Sequence, residues 1–285
     1  MLFYDVTTLY FEAFEEDQLR KNGFSKDNKS QQPQILVALM VTKEGFPIAY
    51  ETFAGNTFEG HTIIPAVNQF IRKNNVTDLT VVADAAMISA ENILALKENK
   101  INYIVGARLG NVSNELVTEI DNSICREDGK SIRIKTDNGY LICSYSSVRY
   151  RKDKYEMERQ IEKAKYIISN PSKNKKIKFT KLSGQQIELN QKLIAKTQKL
   201  LGIKGYYTNL EESFASNQTI MERYHELYKI EQAFRISKSD LQTRPIFHFK
   251  EEPIKLHLLI CFMALVVSKY VELQTKNSIK KFTHE

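Results

Sequence analysis

At 285 residues, with 42% hydrophobic and 10% aromatic side chains, the chain is long enough to bury a sizeable core and too apolar to be disordered. The 41 Lys and Arg against 34 Asp and Glu give a net charge of +7, which favours a polyanionic partner without requiring one. Cys125, Cys143 and Cys261 are odd in number and lack CxxC or Cys/His ligand spacing. That excludes a disulfide framework and a structural zinc site and implies a reducing cytoplasm.

In chain order, "LFYDVTTLYF" reads as a strand carrying Asp5, followed by a polar loop with Gly23 and Pro33. "QILVALMVT" and "FPIAYETFA" flank the short "KEG" link and predict an antiparallel hairpin, Gln34–Thr42 with Phe46–Phe53. Ile63, Ile64, Val67, Phe70 and Ile71 have the spacing of an amphipathic helix. Next come a strand, Leu79–Asp84, a helix, Ser89–Lys97, with Ser89 as N-cap, and a strand, Asn102–Gly106. Three antiparallel strands, a helix and then strand–helix–strand outline a ribonuclease H-like α/β core, a mixed sheet flanked by helices.

From about Arg108 to Leu210 the pattern turns to short strands and turns around one charged helical stretch, "KDKYEMERQIEKAKYIIS", and predicts a β-rich insertion. The expected division is therefore 1–107 for the first part of the core, 108–210 for the inserted subdomain and 211–285 for the rest of the core. The basic run "NPSKNKKIKFTK" fits a solvated face or a nucleic-acid contact. "LHLLICFMALVV", Leu256–Val267, falls short of the roughly 20 residues that span a bilayer and predicts a buried helix and no membrane association. The first twelve residues contain Asp5 and lack a basic start followed by an apolar core, so export is not expected.

Asp5 and Asp84 each end or interrupt a short apolar strand, and Glu231 lies in the downstream helix "YHELYKIEQAFRISKSDL". Left unpaired at a sheet edge, such carboxylates are costly; three of them converging on hard divalent cations would explain the arrangement. Singly, Asp5 also fits a turn cap and Asp84 a helix N-cap. Tyr224, Glu231 and Lys238 are each seven residues apart, which places them on one face of a continuous helix, beside an apolar stripe of Leu227, Ile230, Phe234 and Leu241. Spacing alone also allows an ordinary surface helix with a Glu231–Arg235 pair. His61 reads as a capping or packing residue, and His257 as a satisfied group of the core.

The segment "YHELYKIEQAFRISKSDLQTRP" resembles the signature of bacterial insertion-sequence transposases with an acidic DDE triad, in the class with a Y-(2)-R-(3)-E-(6)-K pattern. Tyr224, Glu231 and Lys238 match the first, third and fourth positions, and Leu227 stands where the pattern has Arg. "YDVTTLYFE", "FAGNTFEGHT" and "VVADAAMIS" are similar to the family's first-Asp strand, its following turn and its second-Asp strand. The resemblance implies a catalytic core that hydrolyses a phosphodiester at an element's end and transfers the freed strand to target DNA. It implies two Mg²⁺ or Mn²⁺ ions on Asp5, Asp84 and Glu231, with Asp5 bridging both. Tyr224, Arg235, Lys238 and Arg244 would hold phosphates of double-stranded DNA, and the active form would be a homodimer assembled on DNA, cytoplasmic and nucleoid-associated. The chain starts four residues before Asp5, without the end-recognition region usual in this family, so a truncated product is expected. An inactive DNA-binding remnant and a nuclease of the same fold are the alternatives.

Overall fold

The computed structural model describes residues 1–24, 31–87, 89–170, 177–183 and 186–283. Much of the basic run that begins at Asn170, and His284, lie outside the described residues. Contacts divide the chain into one unit of Met1–Gly106, Thr208–Glu211 and Thr219–Glu285 and another of Ala107–Tyr207 and Glu212–Gln218.

In the first unit, β1 (Leu2–Tyr10), β2 (Gln34–Thr42) and β3 (Pro47–Ala54) form an antiparallel meander. The link between β2 and β3 turns at Gly45, whose φ of 83° lies in the left-handed region that the "KEG" signal calls for. Helix α1 (Ile63–Asn74) buries Ile63, Ala66 and Val67 and ends at Asn75, which takes the left-handed conformation and donates its N–H to Ile71. Strand β4 (Thr80–Ala83) runs parallel to β1 and to β5 (Asn102–Ala107), on either side of helix α2 (Ala90–Glu98). Ser89 caps α2 by accepting the Asn92 N–H. The strand order β3-β2-β1-β4-β5 is the ribonuclease H-like arrangement expected from sequence. Strand β2 is buried along all but its last residue, as a strand covered on both faces must be.

The second unit contains α3 (Asn114–Ser123), β6 (Ser131–Thr136), β7 (Gly139–Tyr145), α4 (Ser147–Ser169), β8 (Thr180–Ser183), β9 (Gln186–Leu189), α5 (Gln191–Lys199) and β10 (Ile203–Thr208). Strands β10, β7 and β6 are neighbours in that order, and β8 pairs with β9. Met157, Ala164, Phe179, Ile194 and Leu201 form its small core. Helix has a larger share here than the sequence pattern suggests. Helices α3 and α5 bury only Val117 and Ile120, and Ile194, stripes too narrow to stand out in a polar sequence, yet Ser113 and Asn190 cap them.

The chain then forms α6 (Asn217–His225), α7 (Tyr228–Arg235), a π turn at Ile236–Asp240 and α8 (Glu251–Thr275). The single helix expected through Tyr224, Glu231 and Lys238 is therefore interrupted twice. Between α6 and α7 the break is held by Lys229, whose Nζ donates to the Lys43 carbonyl at 2.6 Å and to Glu226 at 2.8 Å. Below α7, Ile236 accepts the Leu241 N–H at 2.9 Å in the i to i+5 pattern, and Ser237 accepts both the N–H and the hydroxyl of Thr243. Of the expected stripe Leu227 and Ile230 are buried and Phe234 and Leu241 only half-buried; Ala233 and Ile236 are buried in their place, because the break and the π turn rotate the face that docks.

Alternation along β1 decides which side of the sheet each helix covers. Tyr4 projects to one face and donates to Thr62 at the start of α1. Thr7 and Leu9 project to the other, where with Val37, Leu39, Phe234, Ser237, Lys238 and Leu258 they line a cavity of about 30 Å³. Helices α7 and α8 thus cover the face onto which Asp5 also points. Helix α8 departs from expectation. It runs for 25 residues, and only 28% of its apolar window is buried, although its length and composition alone would suffice to cross a membrane. Ile254, Leu258 and Leu265 pack on the core while the opposite side faces outward.

Candidate active site

Two acids are brought together by strand register. Tyr4 pairs with Ala83 across the parallel β1–β4 ladder, so Asp5 and Asp84 are the next residues along two adjacent strands. Neighbouring strands lie about 4.8 Å apart, and at an effective dielectric of about 20 two carboxylates at that spacing repel by roughly 3 kcal/mol, less where water reaches them. Asp5 is half-buried and accepts the Val6 N–H at 2.8 Å; Asp84 is exposed and accepts the Ala85 N–H at 2.6 Å. A short 3₁₀ turn, Ala85–Met87, follows immediately, and the helix beyond it is capped by Ser89, so Asp84 is not its N-cap.

Tyr224 completes the pair. It is 8% exposed, and its hydroxyl donates to Asp84 Oδ1 at 2.9 Å. The resemblance implied a phosphate contact for this residue; in the structure it is buried and its hydroxyl bonds Asp84. Gly106 of β5 makes room for it, since a Cβ there would stand 2.5 Å from the Tyr224 hydroxyl and 3.1 Å from Ala85 Cβ. A glycine inside a strand marks a close approach, and that signal was available in "YIVGA".

A second layer ties the turns around the acids. Asn92, 8% exposed, donates to the Gly60 carbonyl at 2.6 Å and the Met87 carbonyl at 2.8 Å, joining the "EGH" turn to the one after Asp84. Tyr4 donates to Thr62 at 2.7 Å, and the Thr62 hydroxyl in turn donates to the Glu59 carbonyl at 2.6 Å. Burial in first place, with the charge of Asp5 adding to it, raises the Tyr4 hydroxyl well above the ordinary tyrosine range and keeps it a neutral donor. His61 is exposed with its ring edge against Phe58, a packing role. His257 is held by the Thr243 carbonyl at 3.0 Å.

Glu231 lies exposed on α7, which packs on β1 and β2, and so on the same side of the sheet as Asp5. Its rival Glu226 is occupied by Lys229. Among the described residues no three His, Cys, Asp or Glu side chains are gathered closely enough to form a finished metal cage, so Glu231 is not drawn in to the pair. Of the predicted phosphate contacts, Arg235 is exposed in the last turn of α7, Lys238 is half-buried in the π turn, and Arg244 is half-buried ahead of Ile246, which is bridged to Phe11. Leu227, at the pattern's Arg position, is buried. The donor set is hard oxygen throughout, and two carboxylates with open coordination suit Mg²⁺, which commonly takes one or two carboxylates and fills its shell with water and substrate phosphate.

A mixed sheet of order β3-β2-β1-β4-β5, with one acid inside β1 and not at its end as the sequence suggested, and the other just past the end of the adjacent β4, has the ribonuclease H-like fold. A model of the transposase DDE domain family matches residues 2–267, and the chain belongs to that family. No curated protein sequence matches it. Among solved structures it is similar to a piggyBac transposase, determined by cryo-electron microscopy in a synaptic complex with hairpin DNA. The TM-score is 0.53 and the identity 12%, over 97% of this chain and 48% of that one. The likeness is one of fold, and this chain spans about half the length of that protein.

Proposed function

We propose that this chain cuts and joins phosphodiester bonds of double-stranded DNA at the ends of a mobile element, using divalent cations held by Asp5 and Asp84 with Glu231 as the third ligand. The observation that carries this reading is the register-matched pair Asp5 and Asp84, with Tyr224 holding one oxygen of Asp84. Bound Mg²⁺ or Mn²⁺ would supply activation of the attacking oxygen and stabilisation of the leaving one. The chain's own residues do the rest. Asp5, fixed in the middle of the sheet, and Asp84, aimed by Tyr224, set the positions of the ligand oxygens. Glu231, exposed on α7 on the side of the sheet that Asp5 faces, would be the third ligand. Arg235, Lys238 and Arg244 supply positive charge to the DNA backbone, which adds position and affinity but little sequence information. The DNA held by the piggyBac transposase and the +7 charge of this chain support a duplex as substrate.

The test is strand transfer with a pre-cut oligonucleotide, together with thermal melting in Mg²⁺. Wild type should join the oligonucleotide to a target plasmid and gain melting temperature with Mg²⁺, whereas Asp84→Asn should do neither. Equal Mg²⁺ shifts in both proteins, or joining that survives Asp84→Asn, would remove the acid pair from the chemistry.

A further inference from the structure

We propose that the second unit carries a small-molecule site of its own, a cavity that takes a free nucleotide and shares no residue with the acid pair. The cavity measures about 580 Å³, inside the range of about 300–1,000 Å³ usual for small-ligand sites, and every residue lining it belongs to that unit. Helix α4 runs along it with Arg149, Asp153, Glu156 and Gln160, three or four residues apart and therefore on one face, over a length of about 16 Å. This is the charged stretch that stood out in the sequence and that phosphodiester chemistry leaves unused. Lys196 and Thr197 of α5, the turn Leu109–Asn111 and the start of β10 supply the rest of the wall. Leu109, Met157, Leu201 and Ile203 are buried and give it an apolar floor. Gly205 lets Leu109 approach, since a Cβ there would stand 2.6 Å from Leu109 Cδ2.

Charge, an unmet acceptor and volume select the occupant. Arg108, Arg149, Lys178, Lys196 and Lys204 outnumber Asp153 and Glu156 in the lining, so the cavity attracts anions. Asp153 is engaged by Arg149 at 3.3 Å and by the Gly202 N–H at 3.1 Å, and Lys196 donates to the Val112 carbonyl at 2.6 Å. Arg108 and Lys178 are exposed at the rim, where phosphate oxygens meet them in charge-assisted hydrogen bonds. Gln160 Oε1 is buried and, among the described residues, accepts no hydrogen bond. An acceptor in that state calls for a donor, and the amino group of a nucleobase lying on the apolar floor supplies one. Glu156, one turn earlier on the same face, accepts from the sugar hydroxyls. A lone phosphate would leave the floor and Gln160 unused. A duplex, whose major groove alone is about 12 Å wide, does not enter a cavity of this volume.

The experiment is calorimetric titration of the full chain with ATP, GTP and CTP in EDTA, so that no divalent cation can hold phosphates on the acid pair. At least one of the three should bind wild type saturably at micromolar concentration. Arg108→Glu and Gln160→Leu should each weaken that binding tenfold or more with unchanged circular dichroism; Gln160→Leu leaves every basic side chain in place, so its loss reports the base. Lys165→Glu, exposed on α4 outside the cavity, should bind as wild type does. No saturable binding of any of the three, an equal loss in Lys165→Glu, or tripolyphosphate binding as tightly as the nucleotide would overturn the proposal. So would displacement of the nucleotide by a duplex oligonucleotide at equal phosphate concentration, which would make the cavity a DNA contact. Asp84→Asn should bind the nucleotide unchanged, so this site and the catalytic reading stand or fall separately.

Discussion

Gly106 meets the acid pair most closely through Tyr224, and the double-mutant cycle Gly106→Ala with Tyr224→Phe isolates that link. The added methyl would stand 2.5 Å from the Tyr224 hydroxyl and 3.2 Å from the Ala85 nitrogen. Restoring ordinary contact needs a retreat of about 1 Å, which carries the 2.9 Å bond to Asp84 out of hydrogen-bond range. A hydrogen bond to a charged group contributes about 1.5–3 kcal/mol; the exposure of Asp84 argues for the lower end. Overpacking adds about 1 kcal/mol or more. Gly106→Ala should therefore lose about 2–3 kcal/mol, near 5 °C in melting temperature for a chain of this size, and Tyr224→Phe about 1.5 kcal/mol. Each should slow Mg²⁺-dependent nicking of supercoiled plasmid by roughly tenfold. Because phenylalanine removes the atom that the new methyl strikes hardest, the double variant should come close to Tyr224→Phe alone, a coupling of about 2–3 kcal/mol less whatever the methyl's contact with Ala85 costs. Summed losses in the double variant, or full nicking by Gly106→Ala, would refute the idea that Gly106 works through Tyr224.

Asn92→Ala strands the carbonyls of Gly60 and Met87, so it should cost about 2–3 kcal/mol and lower the melting temperature by several degrees; a shift below 1 °C in scanning fluorimetry would deny Asn92 its bridging part. Lys229→Met frees the start of α7 from the Lys43 carbonyl, and we expect nicking to fall several-fold while melting changes by less than about 3 °C, because Lys229 is only partly buried; the reverse order of effects would make it a purely structural tie. Burial pushes the Cys143 thiol up to about 12 from an ordinary 9.0. Its contribution to stability is complete below pH 9 and is lost as pH rises toward 12, because the unfolded chain ionises first. Iodoacetamide at pH 9 should accordingly modify exposed Cys125 within minutes and spare Cys143 until the chain unfolds, which peptide mass mapping reads directly.

The core was readable in the sequence where one physical signal ruled. The long apolar runs of β1 and β2, the glycine turn between β2 and β3 and the Ser89 cap each left a local mark, and from them the order of the meander and the two Asp strands follows. The downstream helix was less legible because a seven-residue spacing determines direction only along an unbroken helix. Neither the Glu226–Leu227 turn nor the π turn closed by Thr243 has a Gly or Pro to announce it. The part Tyr224 plays was hidden for another reason: its partner is 140 residues away, and only the packing of Gly106 against Ala85 brings the two together. Helix α8 misled in the opposite sense. Apolar residues all round a helix predict burial, yet a single small sheet can cover only one side of it.

Strand β1 is bonded to β2 on one side and β4 on the other, and Asp5 sits near its middle. Asp5 therefore cannot leave its place without tearing the centre of the sheet, while Asp84 follows directly on the last residue paired in the β1–β4 ladder. Glu231, by contrast, is carried by an eight-residue helix outside the sheet, with a turn at one end and the π turn at the other. The two aspartates thus share the fate of the sheet's centre: heating that leaves the sheet folded should leave their strands in register, while the placement of Glu231 depends on α7 alone.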